Sequence, residues 1–155
     1  MIGWLLDTHV VAALINPNGA PSVKTWASGQ VEQTLFLSVL TLAEYDKGIH
    51  NLDPTDSNRS RYAAARDALE ARFSGRVLSL NDAVVRRWGA VSGEVQRRTG
   101  RAPAVVDTML AASAIEHDLF LVTRNIRDVA ASGAPLFNPW ADDASQFPLA
   151  RPSPY

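Results

Sequence analysis

The chain has no cysteine at all. That excludes disulfides, thiolate zinc sites and thiol nucleophiles together, and it suits a reducing compartment. No apolar stretch is long enough to span a bilayer, and the first residues lack the basic region and cleavage-site pattern of a signal peptide. The expectation is a soluble, cytoplasmic protein. A G-x-S-x-G stretch is missing, and the three histidines, His9, His50 and His117, have no paired metal-ligand spacing, so serine hydrolase chemistry has no support. Repeats and signs of a second domain are also missing. With 155 residues the chain can bury one continuous core without covalent staples.

Net charge is almost nil, at −1, but it is unevenly spread. Between residues 59 and 101 stand ten arginines, Arg59, Arg61, Arg66, Arg72, Arg76, Arg86, Arg87, Arg97, Arg98 and Arg101, against the four acids Asp67, Glu70, Asp82 and Glu94. Such a stretch is either a solvated helical face or, if other features point to nucleic acid, a phosphate-tracking surface.

Apolar runs alternate with helix-length segments. GWLL reads as a buried strand, followed by a helix over about 8–15; NPNGAP is a turn, and Pro21 opens a second helix reaching about Gln33. TLFLS is the next strand, SVLTLAEYDKGIHNL has helical spacing, and DPTDSN precedes a polar helix over about 57–73. SGRVLSL enters a third strand, Asn81 caps a helix to about Thr99, and GRAP separates it from an apolar helix over about 105–117. LFLVT and PLFN complete the strands. Strands joined by helical crossovers make a mainly parallel sheet of four to five strands, covered on both faces: a three-layer α/β/α domain over residues 1–140. Residues 141–155, rich in proline and polar side chains, are expected as an extended tail, ordered only where Trp140 or Phe147 finds a pocket.

Three acids interrupt apolar segments: Asp7 after the first strand, Glu44 in the third helix, and Asp107 near the start of the apolar helix. Asp7 alone is explained as a helix N-cap, and Glu44 could pair with Lys47 on its own helix. Together they point elsewhere. In parallel sheets the ligand crevice lies beyond the carboxyl ends of the strands, and topology sends Asp7, Glu44, Asp107, Asn125 and Asp128 toward that edge. Clustered carboxylates need a proton, a basic side chain or a cation to relieve their repulsion, and a hard divalent ion with oxygen ligands relieves it best. Thr8, Ser38 and Thr123 are neighbours able to hydrogen-bond carboxylate or phosphate, or to act only as caps. His9 stands close by, as a packing residue.

LLDTHV, SVLTLAEYDKGI, VVDTMLAASAIEHDLFLVTRNIRDV and FNPW, taken in order over almost the whole chain, resemble the PIN-domain ribonucleases, in particular the VapC toxins of VapBC toxin-antitoxin modules and their FitB-like relatives. The resemblance implies an endoribonuclease dependent on Mg²⁺ or Mn²⁺ that leaves a 5′-phosphate and a 3′-hydroxyl. It places the family's acids on Asp7, Glu44 and Asp107, with the first and last binding the metal and Glu44 binding it or orienting water. The family's fourth polar position, which follows VT and is often aspartate, is Asn125 here, with Asp128 three residues on; which of the two completes the site stays open. AEYDKGI departs from the usual leucine and arginine after the glutamate, leaving Lys47 as the equivalent basic residue. The resemblance further implies a homodimer, a VapB-type antitoxin partner and an RNA substrate, with tRNA, rRNA and mRNA all open. WASGQVEQTLFL and the helix around Tyr62 are the candidate apolar contact surfaces, and the arginine-rich stretch becomes a candidate for RNA backbone contact.

The competing readings are a Mg²⁺-dependent phosphatase of haloacid dehalogenase type and a phosphoacceptor receiver or inactive PIN-like binding module. The first wants an acid two residues after Asp7, where this chain has His9. Intact acids at all three positions speak against the inactive module.

Overall fold

A strand that is apolar at every position must be covered from both sides. The computed structural model, which describes residues 1–151, shows this for β1 (Gly3–Leu6), buried throughout. Around it β2 (Leu35–Ser38), β3 (Val77–Leu78), β4 (Leu119–Val122) and β5 (Leu136–Phe137) form one parallel sheet in the order β3-β2-β1-β4-β5. Alternation of side chains along each strand divides the interior. Trp4, Leu6, Leu35, Leu37, Phe120, Val122 and Phe137 face one core. Leu5, Phe36, Leu119, Leu121 and Leu136 face the other. The expected three-layer architecture is what forms.

The first core takes α1 (Thr8–Ile15), α2 (Pro21–Ser28) and the inner faces of α3 (Val39–Asn51) and α4 (Asn58–Arg72). It is aromatic at its centre: the Trp4 ring lies 5.3 Å from Trp26 and 5.1 Å from both Phe120 and Phe137. The second core is built on α6 (Val105–Glu116), with α5 (Asp82–Thr99) packed outside it. Buried Ala111, Ala112, Ser113 and Ala114 allow α6 to approach its neighbours closely, and α7 (Ile126–Val129) closes that side. Local chemistry sets the helix ends. The Asn81 side chain accepts from the Val84 N–H at 3.0 Å at the start of α5, and Gly100 ends it at φ 76°, a left-handed turn that suits glycine.

Two expectations need adjustment. The second helix stops at Ser28, short of Gln33, because the Gly29 N–H already bonds back to the Thr25 and Trp26 carbonyls and Glu32–Thr34 closes as a separate 3₁₀ turn. The tail is ordered beyond the pocket that Phe147 finds against Phe120 and Phe137, as Ala144–Gln146 form a 3₁₀ turn and the Ala150 N–H donates to the Met1 carbonyl at 2.8 Å. Residues 152–155 of the expected tail lie outside the described residues. Of the candidate contact surface WASGQVEQTLFL, Trp26, Leu35 and Leu37 are core residues and Val31 is the exposed large apolar one; Tyr62 is exposed as expected. No helix among the described residues is long and apolar enough to cross a membrane.

The strand order fixes where a ligand can sit. From β1 the chain steps outward to β2 and β3, then returns to place β4 on the other side of β1. That reversal opens a crevice at the carboxyl ends of β1 and β4.

Candidate active site

Leu6 pairs in register with Val122, so the next residues of the two strands, Asp7 and Thr123, emerge side by side. The Asp7 N–H donates to the Val122 carbonyl at 3.0 Å, continuing the ladder one step past the strand. The Asp7 carboxylate is buried. Its Oδ1 accepts from the Thr8 N–H at 2.7 Å, and its Oδ2 accepts from the Thr123 hydroxyl at the same distance. Asp7 is therefore the N-cap of α1, and it is held by a neighbouring strand as well. A cap needs no such second anchor. Thr123 is positioned in turn by its hydroxyl accepting the Asn125 N–H at 3.1 Å.

On the adjoining helix, Thr41 is fully buried and shares a hydrogen bond of 3.1 Å with the Thr8 hydroxyl. Glu44 lies three residues on, on the same face of α3, and so is carried toward the start of α1. Asp107 occupies the first turn of α6 and Asp128 the short α7. Their proximity shows in the electrostatics. Burial, and then the carboxylates of Asp7, Asp128 and Glu44, push the Asp107 carboxyl above its ordinary range, while His9 pulls it down. Four acids from four elements thus converge at the crevice. Among the described residues none of them forms an ion pair, and Glu44 is not paired with Lys47. Asn125 reaches the site through its backbone, at Thr123, whereas Asp128 contributes charge. Ser38 serves as a cap, accepting from the Leu40 N–H at 3.1 Å. Thr41 is the neighbour that sequence reasoning missed: its hydroxyl joins the site through a contact between helices, with no signal in its own segment.

No group of three or more His, Asp or Glu among the described residues is drawn tightly enough to clasp an ion directly. The donors nevertheless suit a hard divalent cation: all are carboxylates, none is ion-paired among the described residues, and their wider spacing leaves room for water, which Mg²⁺ sheds reluctantly. Asp107 and Asp128 also line a recess of about 460 Å³ with Val95, Thr99, Arg101 and Arg127.

Part of the arginine-rich stretch, the candidate for RNA backbone contact, is tied into the fold. Arg66 pairs with Asp46 and Asp67, Arg72 and Arg76 with Glu32, and Arg87 with Glu116, while Arg98 donates to the Ala131 carbonyl. These are links within the fold.

A family model described as the PIN domain matches residues 4–131, which include every acid of the crevice. The chain belongs to the PIN-domain family. Within it the chain is similar over most of its length to proteins named as toxins and VapC ribonucleases. It is 26% identical over 138 residues to toxin FitB of Neisseria gonorrhoeae, covering 89% of this chain and 99% of that one. It is 27% identical over 140 residues to the VapC ribonuclease Y4jK of Sinorhizobium fredii, covering 88% and 96%. Among solved structures, FitAcB from Neisseria gonorrhoeae matches this PIN domain with a TM-score of 0.76 at 26% identity, covering 88% of this chain and 98% of the other. FitAB bound to a DNA fragment matches in fold with a TM-score of 0.79 at 24% identity, covering 90% and 97%.

Proposed function

We propose that this PIN domain is the toxin of a type II toxin-antitoxin module and an endoribonuclease dependent on Mg²⁺ or Mn²⁺. The observation that carries the reading is the convergence of Asp7, Glu44, Asp107 and Asp128 at the switch point of the sheet, none of them in an ion pair among the described residues. The names borne by its relatives, toxin and ribonuclease, point the same way.

Asp7 and Asp107 would hold the ion, with Glu44 at the same site and Asp128 beside it. When bound, the ion supplies a more nucleophilic water and neutralises charge on the scissile phosphate. The chain's own residues do the positioning. Thr123 and the Thr8 N–H fix both oxygens of Asp7, so its direction is set before any ligand arrives. Thr41 locks Thr8 and the start of α1 against α3, which fixes the height of Glu44 over the crevice. Glu44 is only partly buried and can accept a proton from an attacking water. Asn125 holds Thr123 through its N–H.

Metal-dependent cleavage of an RNA panel by wild type and by Asp7→Asn tests the reading. Asparagine keeps the cap with its one oxygen and turns its amide NH2 to the Thr123 hydroxyl, which can accept, so the fold survives while cleavage drops by roughly two orders of magnitude or more. Phosphate release from small esters in place of RNA cleavage would return the phosphatase reading. The proposal extends to a homodimer and a small antitoxin partner, as the complexes of its relatives are named FitAB and VapBC. Val105 and Val106, exposed at the head of α6 beside Asp107, give such a partner apolar surface to cover. The mass of the purified protein, alone and co-expressed with its genomic neighbour, checks both.

A further inference from the structure

Arg101 and Arg127 differ from the arginines tied into the fold. Both are exposed, both line the recess that holds Asp107 and Asp128, and among the described residues neither enters an ion pair. The backbone sets them there. Gly100 turns left-handed at φ 76° with its N–H on the Gln96 carbonyl at 2.8 Å, and the Thr99 hydroxyl donates to the Val95 carbonyl at 2.8 Å, so the chain leaves α5 with Arg101 at the mouth of the recess. Arg98 then ties the last turn of α5 to Ala131, just beyond α7, which fixes the wall carrying Arg127 relative to the wall carrying Arg101. The recess thus brings two acids together with two guanidinium groups that are in no ion pair among the described residues.

Resting on the nuclease reading, we propose that Arg101 and Arg127 hold the backbone phosphate adjacent to the one that is cut, making the recess between α5 and α7 the channel for a single RNA strand. The carboxylates repel a polyanion, so a strand stays over them only if a neighbouring phosphate is gripped. A guanidinium offers a planar fork that matches phosphate oxygens, which a lysine ammonium does not. Both arginines are positioning residues: they touch the strand one step away from the reacting bond and leave the chemistry to the acids.

The test measures binding of a short labelled single-stranded RNA to Asp7→Asn protein in Mg²⁺ across a salt series, with Arg101→Ala, Arg127→Ala and the double substitution added. Each alanine is expected to weaken binding roughly fivefold to tenfold and to reduce the salt slope by about 0.7. Arg→Lys keeps the slope and recovers only part of the affinity. In cleavage by otherwise wild-type protein, KM rises while kcat stays within about twofold. Unchanged slope and affinity in the alanine variants, or a fall in kcat with KM unmoved, overturns the proposal. Protein that binds RNA through both arginines and leaves it intact upholds the strand-holding role and removes the nuclease reading instead.

Discussion

Asp7 shows how far a single residue could be read in advance. Its position between apolar runs marked it, and the structure makes it both a cap and a buried carboxylate anchored by Thr123. Glu44 and Asp107 were legible for the same reason, as charges in segments that otherwise bury apolar atoms, and Asp128 by directly following the fourth strand; all three other acids act on Asp107. Thr41 was not, since a threonine inside a helix carries no mark until α1 is packed against it. Two expectations belong to this scale. Thr123→Val, close in shape but without the hydroxyl, leaves a buried Asp7 oxygen and the Asn125 N–H without that partner; thermal unfolding should show a loss of about 1–3 kcal/mol, and cleavage should fall about 10- to 100-fold. Asp107→Asn removes one of four mutually repelling carboxylates, so in metal-free buffer near neutral pH the unfolding midpoint should rise by about a degree or two, modestly because solvent screens the partly open site. Activity should vanish in the same variant, a trade of function against stability at one position.

Elements were legible where composition and punctuation agreed. The strands announced themselves as short apolar runs, and Pro21, Asn81 and Gly100 marked helix ends that the structure confirms. The second helix was overextended because VEQT has nothing against helix in isolation; its 3₁₀ geometry comes from tertiary partners, chiefly Glu32, whose carboxylate meets Arg72 at 3.0 Å and Arg76 at 3.1 Å. Hydrogen bonding from Arg72, together with the charges of both arginines, lowers the Glu32 carboxyl from its ordinary value of 4.5. A lowered folded value means this link is fully present above pH 4.5 and is lost as pH falls through the folded value. Glu32→Gln should therefore cost about 1 kcal/mol at neutral pH, with the difference from wild type closing in acid; urea titrations at several pH values check it. The turn between α1 and α2 supplies a sharper case. A Cβ on Gly19 would stand 1.8 Å from the Ala13 carbonyl oxygen, a backbone atom that cannot step aside alone. Gly19→Ala should destabilise by about 2–3 kcal/mol in the same titrations.

For the molecule as a whole, the sequence argues for a parallel sheet but not for its order, because helical crossovers permit several arrangements; pairing of β1 with both β2 and β4 is what puts the crevice where it is. The tail was the least legible region, since its anchoring depends on Phe120 and Phe137 being neighbours, and that follows only once β4 and β5 pair. Phe147→Ala should expose that aromatic centre and lower stability by about 2 kcal/mol, read by calorimetry, with little change in cleavage per folded molecule.

The bond between Thr123 and Asp7 spans 116 positions of chain. A polypeptide still emerging from the ribosome carries the aspartate long before the hydroxyl that aims it. Any shorter product that stops before Thr123 therefore has the acid without the aim, because the pairing of β1 with β4 is what brings the hydroxyl to it.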